Sequence, residues 1–216
     1  MTKIISPSIL AANFLRLEEE ISIINEIPDI WYHLDIMDGH FVPNLTFGQP
    51  LIEQIKTIAR HPLDAHLMVS NPDFYLKAFR ELNIYNITFH IESLADPVSL
   101  LALARKDYQS VGISLRPGTS ESVLTHEILS HIDLLLVMSV EPGFAGQKFI
   151  ESTWKRISHF KNLKEKNNYR YAIQVDGGVS DKNAQQLFEA GADNLVTGSY
   201  LFRQKGKYLE AIQKLL

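Results

Sequence analysis

No cysteine occurs in the 216 residues, so neither a disulfide nor thiolate chemistry is available to this chain. That absence leaves the compartment open. Positive charge is not in excess either. Against 25 Asp and Glu stand 21 Lys and Arg, a net charge of −4, and nothing electrostatic calls for nucleic acid or an anionic membrane as partner. No uninterrupted apolar stretch approaches the roughly 20 residues of a membrane span. The apolar run at the N-terminus carries only Lys3 and is broken by Ser6-Pro7-Ser8, which is no signal peptide. A soluble cytoplasmic protein is the default. Linkers, low-complexity segments and tandem repeats are absent as well. With 45% hydrophobic and 21% charged residues, 1–216 is expected to form one globular domain, or at most two small ones.

What is present is an alternation of short β-rich runs and longer helical ones. Strands are predicted over 3–10, 31–37, 63–69, 86–92, 111–115, 134–140, 172–176 and 194–198. Helices are predicted over 15–27, 50–59, 72–82, 97–105, 121–130, 150–166, 182–190 and 206–216. Eight strand–helix units imply an α/β fold with a parallel sheet, open and doubly wound or closed as a (β/α)₈ TIM barrel. Two features favour the barrel. The fingerprint G-x-G-x-x-G is missing from the first strand–helix turn, which reads Ser6-Pro7-Ser8-Ile9-Leu10. Polar residues also gather at the C-terminal ends of several separate strands, where barrels place their active sites.

The stretch from His33 to Asn44 stands out. Ile30, Tyr32, Leu34 and Ile36 share one parity and face packing helices, while Trp31, His33, Asp35 and Met37 take the other face. A His and an Asp on one face just before a strand end are unusual, although a plain His–Asp hydrogen bond inside a core would also account for them. The pattern returns. His66 and Met68 share a face of the third strand, and Asp176 ends the seventh, followed by Gly177-Gly178. In a barrel these ends converge, and two His with two Asp form a mixed N/O set suited to Zn²⁺, Fe²⁺, Mn²⁺ or Co²⁺. Met37, Met68 and Met138 would make an apolar collar at the mouth, or simply fill the core. Glycine-bearing turns follow the sixth, seventh and eighth strands: Pro142-Gly143-Phe144-Ala145-Gly146-Gln147, Asp176-Gly177-Gly178 and Thr197-Gly198-Ser199. Backbone N–H groups in such turns suit a phosphate.

Together these segments resemble the ribulose-phosphate 3-epimerase family along essentially the whole chain. The matching stretches are Ser6–Leu10, His33–Gly48, Asp64–Met68, Pro142–Gln147, Val175–Gly178 and Gly198-Ser199. The resemblance implies a TIM barrel that interconverts D-ribulose 5-phosphate and D-xylulose 5-phosphate through an enediolate. It implies one divalent metal ion on His33, Asp35, His66 and Asp176, with Asp35 and Asp176 as the acid–base pair and no organic cofactor. Phosphate is expected at Gly146, Gly177, Gly178, Gly198 and Ser199. Ser8, His66, Met37, Met68, Met138 and Gly143 complete the expected substrate contacts. A bulky residue at Gly178 or Gly198 is expected to raise KM by filling the space of the phosphate. A homo-oligomer is the expected assembly. Arg116, Glu141 and Ala145 depart from the usual family pattern. Ala145 is similar to relatives that epimerise D-allulose 6-phosphate, which is the alternative substrate. A non-catalytic metal-binding barrel is the alternative of another class.

Other residues carry less. His126 and His131 lie five apart, which turns them roughly 140° from each other on a helix, so they do not form one ligand face and are read as a helix end. His90 and Glu92 share a predicted strand face and stand as supports of the site or as alternative ligands. His61 and His159 are expected at the surface, and Asp38 and His40 in a loop that steadies the site.

Overall fold

The computed structural model describes residues 3–216. Eight parallel strands form one sheet: β1 (Ile4–Pro7), β2 (Tyr32–Met37), β3 (Leu63–Met68), β4 (Ile84–His90), β5 (Ser110–Leu115), β6 (Leu134–Met138), β7 (Ala172–Asp176) and β8 (Asn194–Thr197). Their order is β1-β8-β7-β6-β5-β4-β3-β2, and isolated parallel bridges at Ile5–Ile30 and Ser8–His33 close β1 onto β2. The fold is the expected (β/α)₈ barrel. Around it lie α1 (Leu17–Ile24), α2 (Gln49–Ile58), α3 (Pro72–Ala78), α4 (Pro97–Ala104), α5 (His126–Ser130), α6 (Thr153–Asn167), α7 (Ala184–Ala190), α8 (Ser199–Phe202) and α9 (Tyr208–Gln213). No helix of the described residues is long and apolar enough to cross a membrane.

Strand alternation sorts the side chains into two environments. Tyr32, Leu34 and Ile36 of β2, Ala65 and Leu67 of β3, and Ile87 and Phe89 of β4 are buried against the helices. Burying each of the larger ones contributes about 1.5–3 kcal/mol. The helices answer with matching stripes, as Leu17, Ile21 and Ile24 do on α1. Inside the barrel, β6 supplies an apolar wall of Leu134, Leu136 and Met138, packed with Val140 and Trp31. The opposite wall is polar: His33, Asp35, Asp64, His66, Asn86, Thr88 and His90 are all buried. At Gly112 of β5 this interior has no room for a side chain. A Cβ there would lie 2.4 Å from Thr88 Oγ1 and 3.1 Å from the Leu134 carbonyl.

The elements differ from the sequence expectation mainly at their ends, where capping side chains act. β1 stops at Pro7, and Ile9–Ala11 form a 3₁₀ turn. The predicted helix over 121–130 splits, because Thr125 turns its side chain onto Ile128 N–H and starts α5 afresh. His126 therefore opens that helix rather than ending it. The helix predicted over 72–82 ends at Ala78, followed by a 3₁₀ turn that Asn83 closes at φ 56°. β4 ends at His90, and Glu92 lies in the 3₁₀ turn Ile91–Ser93, not on the strand. The four-residue α8, directly after β8, is too short to show a hydrophobic period and was not expected.

Candidate active site

Parallel registration does much of the assembly. Along β2 and β3, His33 pairs with Asp64, Asp35 with His66 and Met37 with Met68, while Met138 of β6 pairs with Asp176 of β7. Each pair sits at one level of the barrel, so residues from 31 positions apart (Asp35 and His66) to 143 apart (His33 and Asp176) meet at its C-terminal mouth. His33, Asp35, His66 and Asp176 offer ligand-type atoms that all lie within 4.8 Å of one another. His33 Nε2 is 3.4 Å from Asp35 Oδ1 and 3.8 Å from Asp176 Oδ2. His66 Nδ1 is 3.2 Å from Asp35 Oδ1 and 3.7 Å from Asp176 Oδ2.

These residues fit a divalent cation on two grounds. The set of two imidazole nitrogens and two carboxylates matches the donor preferences of first-row metals. In addition, His33 Nε2 is buried with no hydrogen-bond partner, although such atoms are normally satisfied. The other nitrogen explains its state. His33 Nδ1 lies 2.8 Å from Asp64 Oδ2, and an ionised carboxylate only accepts, so Nδ1 keeps its proton and Nε2 is the nitrogen that would give a lone pair to a cation. Asp64 is itself held by Gln174 Nε2 and Asn86 Nδ2, at 2.7 and 2.6 Å.

Charge is unevenly shared among the two carboxylates. Burial opposes ionisation of Asp35, but His33 and then His66 outweigh it and hold this carboxyl below its usual range. Ser8 Oγ also donates to Asp35 Oδ2 at 2.6 Å. Asp176 is raised, by burial first and by the Asp35 charge second. One carboxyl that keeps its charge and one that readily holds a proton therefore stand side by side, a difference typical of acid–base sites.

Above the cluster opens a cavity. Asp35, Asp176 and Ser8 reach its floor, and Met37, Met68 and Met138 its wall. The loop from Glu141 to Gln147, with Gly143 and Gly146, forms one side of the rim, and Gly177, Gly178, Gly198 and Ser199 form the other. The methionines are at most 3% exposed, so they pack the interior and border the cavity at once. His33 and His66 are wholly buried and lie behind Asp35 without lining the cavity.

Some of the turn glycines also carry a steric requirement within the protein itself. A Cβ on Gly178 would lie 2.7 Å from the backbone nitrogen of Phe149, and one on Gly177 would lie 2.5 Å from Val140 Cγ2. Both have positive φ, +63° and +118°. On Gly198 a Cβ would come within 3.1 Å of Ala11 Cβ. A side chain at Gly178 thus collides with backbone of its own chain, whereas one at Gly198 asks Ala11 to give by a few tenths of an ångström. Among the four glycines of the expected phosphate seat, Gly146 has the most room, with Ser199 Oγ the nearest atom at 3.9 Å, although its φ is +78°.

Several polar partners escaped the sequence reading. Asp64, Asn86 and Gln174 occupy inward parity positions, but only registration shows which nitrogen they address. His90 is not among the clustered ligand atoms. Its Nε2 lies 2.9 Å from His66 Nε2, and Glu92 Oε2 lies 3.1 Å from its Nδ1. Asp38 ties the loop down by accepting from His40 N, Phe41 N, Ser70 N and Ser70 Oγ. His126 contacts Tyr169 and His131 contacts Glu127 O, both away from the cavity. His159 is exposed, whereas His61 is half-buried and contacts Asn25 O.

Comparison with known proteins agrees with this geometry. The sequence matches the Ribulose-phosphate 3 epimerase family over residues 4–202. It is 42% identical over 200 residues to the ribulose-phosphate 3-epimerase of Mycobacterium tuberculosis, covering 92% of this chain and 86% of that one. It is 39% identical over 205 residues to that of Helicobacter pylori, covering 95% and 93%. Among solved structures, the tryptophan synthase α-subunit of Pyrococcus furiosus superposes with a TM-score of 0.71 at 13% identity, covering 99% of this chain and 97% of that one. Phosphoribosyl anthranilate isomerase of Thermococcus kodakaraensis also superposes. At such identities these two show the barrel alone. The family-wide match and the full-length relatives show more: this chain belongs to the ribulose-phosphate 3-epimerase family.

Proposed function

We propose that the protein inverts C3 of D-ribulose 5-phosphate to give D-xylulose 5-phosphate, with Asp35 and Asp176 as the two acid–base groups. The observation that carries this reading is the pair of carboxylates, Asp35 and Asp176, on the floor of a cavity rimmed by glycine turns. The relatives named above are called ribulose-phosphate 3-epimerases, which supports the five-carbon substrate.

Inversion next to a ketone needs a proton removed from C3 on one face and a proton delivered on the other. A single base that returned its own proton would regenerate the starting configuration. Asp35 and Asp176 stand on β2 and β7, which are not neighbours in the sheet, and so approach the cavity from different sides. One takes the C3 proton while the other gives one to the opposite face, and the reverse reaction exchanges their roles. Ser8 holds Asp35 through its 2.6 Å hydrogen bond, which keeps that carboxylate aimed. His33, Asp35, His66 and Asp176 would hold a divalent ion, whose chemistry is to stabilise negative charge developing on the substrate's C2 and C3 oxygens as a Lewis acid. The three methionines exclude water from the reacting carbon. Loops after the seventh and eighth strands are the usual phosphate seat of this fold, and here Gly177, Gly178, Gly198 and Ser199 occupy them beside Gly146.

Ala145, which lines the cavity beside Gly146, favours a second substrate, D-allulose 6-phosphate. Turnover of both sugars by purified protein supplied with metal separates the two. Higher kcat/KM for ribulose 5-phosphate supports the proposal, and a clear preference for the hexulose replaces it. Comparable turnover of unphosphorylated D-ribulose would rule out the phosphate seat.

A further inference from the structure

Behind His66 lies a chain of hydrogen bonds that the proposed reaction leaves unused. His66 and His90 are both wholly buried, and their Nε2 atoms are 2.9 Å apart. At that distance only one proton fits between the two nitrogens, so one donates and the other accepts. The far ends of the chain compete for its direction. At one end Asp35 Oδ1 lies 3.2 Å from His66 Nδ1 and draws a proton onto that atom. At the other, Glu92 Oε2 lies 3.1 Å from His90 Nδ1 and draws one there.

Glu92 is well placed to prevail. Its other oxygen, Oε1, accepts from the Arg116 backbone N–H at 2.7 Å and from Thr119 Oγ1 at 2.5 Å. Those donors are themselves fixed, since Arg156 donates from Nη1 to Arg116 O and from Nη2 to Thr119 O. The His90 ring is held between Phe41 and His66, with centroids 4.9 and 5.0 Å away, and the Arg116 guanidinium lies over Phe41 at 4.2 Å. An acceptor at Glu92 places a proton on His90 Nδ1 and leaves its Nε2 to accept. His66 then carries its proton on Nε2, and its Nδ1 is bare where it faces Asp35 and Asp176.

We infer that Glu92 and His90 are positioning residues that set the tautomer of His66, presenting a free Nδ1 lone pair to a divalent cation. The inference rests on the metal reading above and adds to it the residues that orient one ligand. It also gives the backbone of Arg116 a role that does not depend on its side chain.

Glu92→Gln is the direct test, because it keeps the shape and reverses the polarity. The Arg116 N–H and the Thr119 hydroxyl claim the amide oxygen, which turns the amide NH₂ toward His90 Nδ1. His90 must then accept on Nδ1 and donate from Nε2, and His66 keeps a proton on Nδ1 where a lone pair is needed. Zn²⁺ affinity, measured by chelator competition on full-length protein, is expected to fall about 10–100-fold, the usual range for losing such a partner. Should Glu92→Gln not fold, ¹⁵N spectra of Zn²⁺-loaded wild-type protein decide, with protons expected on His66 Nε2 and His90 Nδ1. Unchanged affinity in a folded variant, or a proton on His90 Nε2 in the wild type, overturns the inference alone. Wild-type protein that binds no Zn²⁺ overturns the metal reading and this inference with it.

Discussion

Asp64 Oδ2 accepts from His33 Nδ1 at 2.8 Å, from a position paired directly across the sheet and wholly buried beneath the cavity. No solvent competes for that carboxylate, and its three partners all act as donors toward it. The pair fixes the His33 ring so that Nε2 faces Asp35 and Asp176.

Asp64→Asn is therefore expected to act on metal binding without touching the metal. Its amide NH₂ must face at least one donor, and facing His33 it would push the ring proton onto Nε2. Zn²⁺ affinity should drop about 10–100-fold, and stability by about 1–3 kcal/mol for the buried mismatch. Chelator competition and urea unfolding of the metal-free protein read the two effects separately. Wild-type affinity in the variant would contradict the assigned tautomer.

Asp35→Asn and Asp176→Asn should each lower kcat at least ~10²-fold, the scale of a lost general acid or base. Because both are also proposed ligands, metal content is to be measured on the same samples. In D₂O the product should carry deuterium at C3, with much less in substrate recovered early. Full retention of the original C3 hydrogen would exclude a two-carboxylate exchange.

The glycine turns separate a stability effect from a binding effect. Gly178→Ala puts Cβ against the Phe149 backbone at 2.7 Å and should chiefly lower the unfolding midpoint, with strain alone of about 1–3 kcal/mol. Ser199→Ala acts where the cavity is open and should chiefly raise KM for the phosphorylated sugar. Equal KM effects with no stability loss at Gly178 would refute this division.

Stripping the metal should make stability fall as pH rises above neutrality. Burial disfavours a charged His33, yet Asp35 and Asp64 outweigh it and raise this imidazole above its usual range. Asp176 is raised to about 7, by burial and then by Asp35, so its share is lost earlier, between ~4 and ~7, and His33 governs the range above. A group whose pKa is higher folded than unfolded contributes stability that is lost as pH rises through the folded value. His66 and His90 are lowered, chiefly by burial, and act oppositely, but only below ~6.5, the unperturbed value. From about pH 6.5 to 8.5, Tm of the stripped protein should decline, while Zn²⁺-loaded protein, whose ligands have already released their protons, should not. Parallel melts of both forms check this, and a Tm of the stripped form that rises over that window would count against it.

Asp38 gives the opposite sign at low pH. Burial pushes its carboxyl up, but Ser70 first, then Phe41 and His40, pull it down to about 2. Its contribution is present above the unfolded value and lost as pH falls through the folded one. Asp38→Asn sets an amide against the Ser70 N–H and should cost about 1–2 kcal/mol near neutrality. The difference from wild type should shrink between pH ~4 and ~2. Urea midpoints at three pH values measure it.

The alternation of β2 was readable without coordinates, because a strand has period 2 and burial leaves few ways to place Tyr32, Leu34 and Ile36. Once those face the helices, His33 and Asp35 must face inward. The same holds for His66 and Asp176, so parity places all four among the inward residues. β7 was bounded correctly over Ala172–Asp176. Glu92 shows where parity stops, since a 3₁₀ turn brought it to His90 by a route that a strand pattern does not describe.

By itself, then, the sequence determined which residues face inward, where the turns fall and which side chains can ligate, since these follow from local periodicity and side-chain chemistry. Tertiary structure alone decided which inward residues meet. Asp64 finds His33, and His90 finds His66, through the level at which separate strands register. Gly112 and Gly178 owe their identity to atoms of Thr88 and Phe149, far away in the chain. Closure of β1 onto β2 then places Ser8 against Asp35. Such contacts depend on distances between segments, and hydrophobic periodicity within a segment carries no information about them.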